Sequence, residues 1–141
     1  MANRVSKVNV WSGEIDDRPG AAAGAFRALA SAGANLRFVF ARRQPDRPGK
    51  GLLFVEPVRG KKQEDAARSV GFSPSTDLAG VLVEGPNRSG MGQRLTTALS
   101  EIGINLRAIS AMVVGSKFIA LLAFDNPADA DRGIKAIRKI R

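Results

Sequence analysis

The chain of 141 residues contains no histidine, no cysteine and no tyrosine. Without histidine and cysteine there is no Ser-His-Asp or Cys-His pair, no imidazole acid–base catalysis and none of the usual zinc ligand sets. Without cysteine, no disulfide points to a redox compartment. No apolar run approaches the roughly 18 residues that could span a bilayer, and residues 1–7 lack the apolar stretch of a signal peptide. The expectation is a soluble, cytoplasmic protein with no membrane partner. The chemistry that remains belongs to carboxylates, lysine and arginine, and no paired set of these stands out. The sequence therefore reads as a binding protein rather than an enzyme, with no cofactor and no metal.

Apolar residues make up 44% of the chain, enough to build a core. The net charge of +9 attracts anionic partners. That charge is spread: residues 1–77 carry net +5 and residues 78–141 net +4. Part of the excess sits in the last helical stretch. There Asp129 and Asp131 lie near the start and Lys135, Arg138, Lys139 and Arg141 near the end, the order that complements a helix dipole.

An internal repeat organises the chain. A shift of 70 positions gives ten identities over the window 14–41 against 84–111, where chance gives about two. The longest shared run is Gly-x-Asn-Leu-Arg, at 33–37 and 103–107. In the first copy, Val5 to Ile15 alternates as a strand, with Val8 and Val10 in phase. Pro19-Gly20 opens a helix whose Ala22, Ala25, Phe26, Leu29 and Ala32 recur at spacings of three and four, and Gly33 closes it. Strands are expected over 35–41 and 51–58, then a polar helix over 61–70 and a short edge strand within 72–77, where Pro74 limits pairing. The second copy repeats the pattern. Val81-Leu82-Val83 reads as its first strand; Met91, Leu95, Ala98, Leu99 and Ile102 form a helical stripe. Strands follow around 106–113 and 118–124, and Pro127 starts a helix lined by Ile134, Ile137 and Ile140 or Arg141.

The resulting class is α+β. It consists of two ferredoxin-like βαββαβ modules in tandem, over 1–77 and 78–141, each an antiparallel sheet with its helices on one face. The second copy reaches Arg141 without a fourth strand, so its sheet is expected to have an open edge.

Asp17-Arg18-Pro19-Gly20 before a helix, and Gly33-Ala34-Asn35-Leu36 before a strand, resemble the two best-known stretches of ACT domains. Asn87-Arg88-Ser89-Gly90 and Gly103-Ile104-Asn105-Leu106 repeat them, with Asn for Asp and Ser for Pro. The resemblance covers nearly the whole chain. It implies a regulatory fold that binds amino acids at interfaces between modules. The site residues it implies are Asp17, Arg18, Pro19, Gly20, Asn35 and Leu36 in one copy, and Asn87, Arg88, Ser89, Gly90, Asn105 and Leu106 in the other.

Physical chemistry allows such a site. The carboxylate of a free amino acid suits the exposed N–H groups of a helix start, and Gly20 and Gly90 admit close approach. Its ammonium needs acceptors, which Asp17 or Asn87 and Asn35 or Asn105 can supply. The plainer alternative is that Asp17 and Asn87 cap helices and that Asn35 and Asn105 satisfy turns. Modules of about 70 residues are marginal alone. Together with the open edge and the apolar surface expected from Ile109, Met112, Val113 and the run Phe118 to Phe124, this leads to an expected homodimer or higher even oligomer. A regulated partner protein is also expected.

Other signals carry less. The second Asp-Arg-Pro-Gly, at 46–49, precedes a strand and reads as a hairpin turn. Gly85 to Gly90 has the glycine spacing of a phosphate loop, but Met91-Gly92 replaces the required Lys and Ser/Thr, and Leu95 replaces the third glycine of a dinucleotide fingerprint. Residues 50–57 partly match an RNA-recognition strand, but Leu52 and Pro57 occupy aromatic positions and only Phe54 could stack. Phosphate contact by Arg42, Arg43, Arg47 and Lys50 remains as the alternative, nucleic-acid reading. Trp11 is expected in a core or an interface.

Overall fold

The computed structural model describes residues 3–75 and 78–140. Asn9–Ser75 form one compact unit, and the N-terminal strand joins the residues after Ser75 in a second. The first unit runs β2 (Trp11–Asp16), α1 (Ala21–Ser31), β3 (Phe38–Arg43), β4 (Lys50–Glu56), α2 (Gly60–Ser69) and β5 (Phe72–Pro74). Its antiparallel sheet has the order β3-β4-β2-β5. Its core joins Trp11, Leu53, Val55 and Phe72 of the sheet to Ala25 and Leu29 of α1 and Ala67 of α2. Trp11 is thus a core residue, with Arg68 stacked on its ring at 5.0 Å.

The second unit contains β6 (Ala79–Pro86), α3 (Met91–Glu101), β7 (Ala108–Val114), β8 (Lys117–Phe124) and α4 (Pro127–Arg138). Its core sets Met91, Leu95 and Leu99 of α3 and Ala130, Ile134 and Ile137 of α4 against Val81, Val83, Phe118, Leu122 and Phe124. α4 starts as its sequence suggests. Pro127 occupies the first turn, and the Asn126 side chain accepts from the Asp129 N–H at 2.8 Å. No helix among the described residues is long and apolar enough to cross a membrane.

The expected open edge is closed. Its fourth strand is β1 (Arg4–Val8), which pairs antiparallel with β6 from Arg4 opposite Glu84 to Val8 opposite Gly80, in the sheet order β1-β6-β8-β7. Val5 enters the second unit's core. Arg4 pairs with Glu84 at 3.2 Å, Lys7 pairs with Asp131, and Arg138 donates to the Val5 carbonyl. The single strand expected from Val5 to Ile15 is therefore two strands in two sheets, and residues 4–8, counted above with the first module, complete the second. β1 stands in the second sheet where β5 stands in the first. The expected edge strand within 72–77 ends at Pro74; Thr76 and Asp77, like Arg141, lie outside the described residues.

Candidate functional site

The repeat extends from the sequence to the local geometry. α1 and α3 each have 11 residues, displaced by 70 positions. Each begins after a left-handed glycine, Gly20 at φ 89° and Gly90 at φ 83°, and neither receives a side-chain cap. Asp17 and Asn87 are therefore not helix caps. Each fixes its loop through its own backbone N–H instead: Asp17 donates to the Gly49 carbonyl at 2.9 Å and Asn87 to the Ser116 carbonyl at 2.8 Å. Both helix starts present uncapped N–H groups at an exposed loop, which suits an anionic group.

Each helix also ends in the same way. Gly33 and Gly103 have positive φ, and the following N–H returns to Leu29 or Leu99, at 3.0 Å in both copies. The chain then passes through Asn35-Leu36 or Asn105-Leu106 into the next strand. Leu36 and Leu106 pack against their cores, Asn35 is exposed, and the Asn105 Oδ1 accepts from the Leu106 N–H at 3.0 Å. The arginine of the shared run clamps this turn to the sheet. The Arg37 N–H donates to the Glu56 carbonyl, and its guanidinium holds the Glu56 carboxylate at 2.6 and 2.9 Å. Glu56 is the buried charged residue of the described chain. Arg107 repeats the backbone bond, to Ala123, but its side chain makes an exposed pair with Asp125 at 3.5 Å.

The structure does not bring the two stretches of one module together. Asn87 is bonded to the β7–β8 turn at Ser116, whereas Arg107 is bonded to the far end of β8 at Ala123. An 11-residue helix separates Gly90 from Gly103, about 16 Å at 1.5 Å per residue. A single small ligand cannot touch both within one module.

The copies differ in charge. In the first, Asp17 pairs with Arg43 at 2.9 Å, Glu14 with Arg47 at 3.0 Å, and Asp16 with Lys50 at 2.8 Å; Arg18 lies 3.6 Å from Asp16. The Lys50 hydrogen bond and then its charge lower the Asp16 pKa, and the same contact raises that of Lys50. Three of the four basic residues at the 42–50 hairpin thus already face carboxylates, and Arg42 donates to the Arg43 carbonyl. The second Asp-Arg-Pro-Gly is the hairpin turn expected, closed by Arg47 N–H to the Gln44 carbonyl and by Gly49 at φ 83°. At the second copy's loop, Asn87, Arg88, Ser89 and Gly90 are exposed and contain no acidic side chain.

The second module also has a groove of about 540 Å³ between α3 and the start of β7. Thr96, Leu99, Ser100 and Gly103 supply one wall; Ile104, Asn105, Leu106 and Ile109 supply the other. The sequence reading missed Thr96, Ser100 and Ile109 as site residues. The first two could have been found, because 96, 99, 100 and 103 share one face of a helix.

No family model matches the chain, and no curated protein matches it. Solved structures do. Protein BT0572 from Bacteroides thetaiotaomicron is similar with a TM-score of 0.78 at 14% identity, over 96% of this chain and 99% of that one. The regulatory subunit of aspartate kinase from Thermus thermophilus, in a ligand-free form, gives 0.65 at 18% identity, covering 97% and 95%. Its counterpart from Thermus flavus gives 0.62 at 19%, with the same coverage. The chain has the fold of these regulatory subunits, two ACT-type modules in tandem.

Proposed function

We propose that the protein is a non-catalytic regulatory protein that binds a free amino acid where modules of two copies meet, and passes occupancy on through its own oligomer or a partner protein. One observation carries this reading: both copies hold their ligand-type stretches at opposite ends of one helix, so a shared ligand must bridge two modules. The contacts proposed are Asp17, Arg18, Pro19, Gly20, Asn35 and Leu36 in the first module, and their counterparts Asn87, Arg88, Ser89, Gly90, Asn105 and Leu106 in the second.

The last strand of the second sheet supports the homodimer. β7 pairs only with β8 among the described strands and carries no charged residue. Ile109, Met112, Val113 and Val114 are 47–62% exposed on it. A flat, uncharged edge is a template for another strand. Antiparallel pairing of two β7 strands sets the start of one beside the end of the other. It thereby brings Asn105 of one copy toward the Asn87 loop of its partner. Such a site has a helix start for the carboxylate and side-chain or backbone oxygens for the ammonium. The carboxylate partners of Arg43, Arg47 and Lys50 count against the nucleic-acid alternative, because phosphate would have to displace them.

Isothermal titration against the twenty amino acids tests the proposal. Heat is expected with at least one, and Asn87→Ala and Asn105→Ala should each weaken it while leaving thermal stability within about 1 kcal/mol. Absence of heat and of thermal shift with all twenty would remove the reading.

A further inference from the structure

The second module's groove has a composition that selects among amino acids. Half-buried Leu106 and exposed Ile109 give it apolar walls, the buried Leu99 and Ile104 back it from the core, and Thr96, Ser100 and Asn105 add uncharged polar groups. No lining residue is charged. Arg107, next to Leu106 in sequence, is turned toward Asp125 at 3.5 Å, and Arg132 donates to the Ile102 carbonyl at 2.7 Å. The volume of about 540 Å³ lies within the ordinary range of small-molecule sites.

Resting on the amino-acid reading above, we infer that this groove receives the side chain of an uncharged aliphatic amino acid, such as isoleucine, leucine or valine, and rejects basic and acidic ones. The groove lies against the C-terminal end of α3, the negative end of the helix dipole. An ammonium is favoured there, with Asn105 Oδ1 as a further acceptor. The ligand's carbon chain then lies on Leu106 and Ile109, over the buried Leu99 and Ile104. A lysine, aspartate or glutamate side chain in the same place would lose water without gaining a counter-ion.

Titration calorimetry of the full chain with isoleucine, leucine, valine, lysine and aspartate decides the matter, repeated on Ser100→Trp and Ile109→Glu. Ser100 is exposed on α3 and Ile109 on β7, so both variants should keep the wild-type circular dichroism. The aliphatic amino acids are expected to bind roughly tenfold or more tightly than lysine or aspartate. Ser100→Trp should abolish that binding by filling the groove, and Ile109→Glu should shift preference toward lysine. Lysine or aspartate binding as tightly as the aliphatics to the wild type would overturn this inference while leaving the amino-acid reading intact. So would aliphatic binding that Ser100→Trp leaves unchanged. No binding by any of the twenty amino acids would remove both.

Discussion

Val5→Ala isolates the role of the N-terminal strand. Val5 lies 76 positions before Val81 in sequence, yet it is only 6% exposed, shares the second module's core with Val81 and Val83, and is paired with Val83 across the sheet. The substitution removes two buried carbons. At about 0.8 kcal/mol each, with a cavity contribution added, the cost is about 1.5–2.5 kcal/mol. With a urea m-value of about 1.5 kcal/mol/M, the second module's unfolding midpoint should fall by about 1–1.7 M. The assay separates the modules without labels. Trp11, the only tryptophan in a chain without tyrosine, is buried in the first module's core and reports that module by fluorescence. Hydrogen exchange at the β6 and β8 amides reports the other. Val5→Ala should speed exchange in β6 and β8 more than in β2 and β4. If β2 and β4 lose protection instead, while β6 keeps it, the assignment of β1 to the second sheet is wrong.

Four further expectations follow from particular contacts. Arg37→Ala leaves the buried Glu56 carboxylate without its bidentate partner and should cost about 2–3 kcal/mol in urea unfolding, whereas Arg107→Ala, which breaks only an exposed pair, should cost less than about 1 kcal/mol. Gly133→Ala places a Cβ 2.6 Å from Phe124 Cζ and 3.2 Å from Leu99 Cδ2 and should lower the melting temperature; Gly24→Ala, inside α1 with nothing within 4 Å, should raise stability by about 0.5–1 kcal/mol. The Asp16 carboxyl should titrate below its ordinary 3.8 by NMR, and Lys50→Met should return it toward that value; an unchanged midpoint would refute the pair. Because that carboxyl's folded pKa is lowered, its stabilisation is complete above the ordinary value and lost as pH falls through the folded one; the raised Lys50 loses its share only as pH rises through its own folded pKa.

Much of this architecture is legible in the sequence because helix signals are local. Gly20 and Gly90 open, and Gly33 and Gly103 close, two helices whose bounds differ by the same 70 positions as the identities. The apolar spacing within them names the core residues Ala25, Leu29, Met91, Leu95 and Leu99. Strand partnership is not local. Nothing in Arg4–Val8 says which sheet it will join, since alternation shows only that one face is buried. A continuous pattern from Val5 to Ile15 therefore concealed a change of sheet. The candidate residues were visible as a repeated motif, but their placement at opposite ends of the helix follows from strand register, which pairing over long sequence separations decides. Asp17 read as a free acceptor or a cap because Arg43, 26 positions away, brings its charge back only after β3 folds. Ser100 and Thr96 belong to no motif; their shared helix face with Leu99 was legible, but that this face borders a groove depends on β7 lying beside it.

The proposed amino acid is held between two copies of the chain. Light scattering on the wild-type chain at low micromolar concentration, with and without the tightest-binding amino acid, tests it most directly. The expected mass is twice the 14.9 kDa of one chain, present already or completed on adding the amino acid. A mass of 14.9 kDa in both conditions, with the amino acid bound, would contradict it.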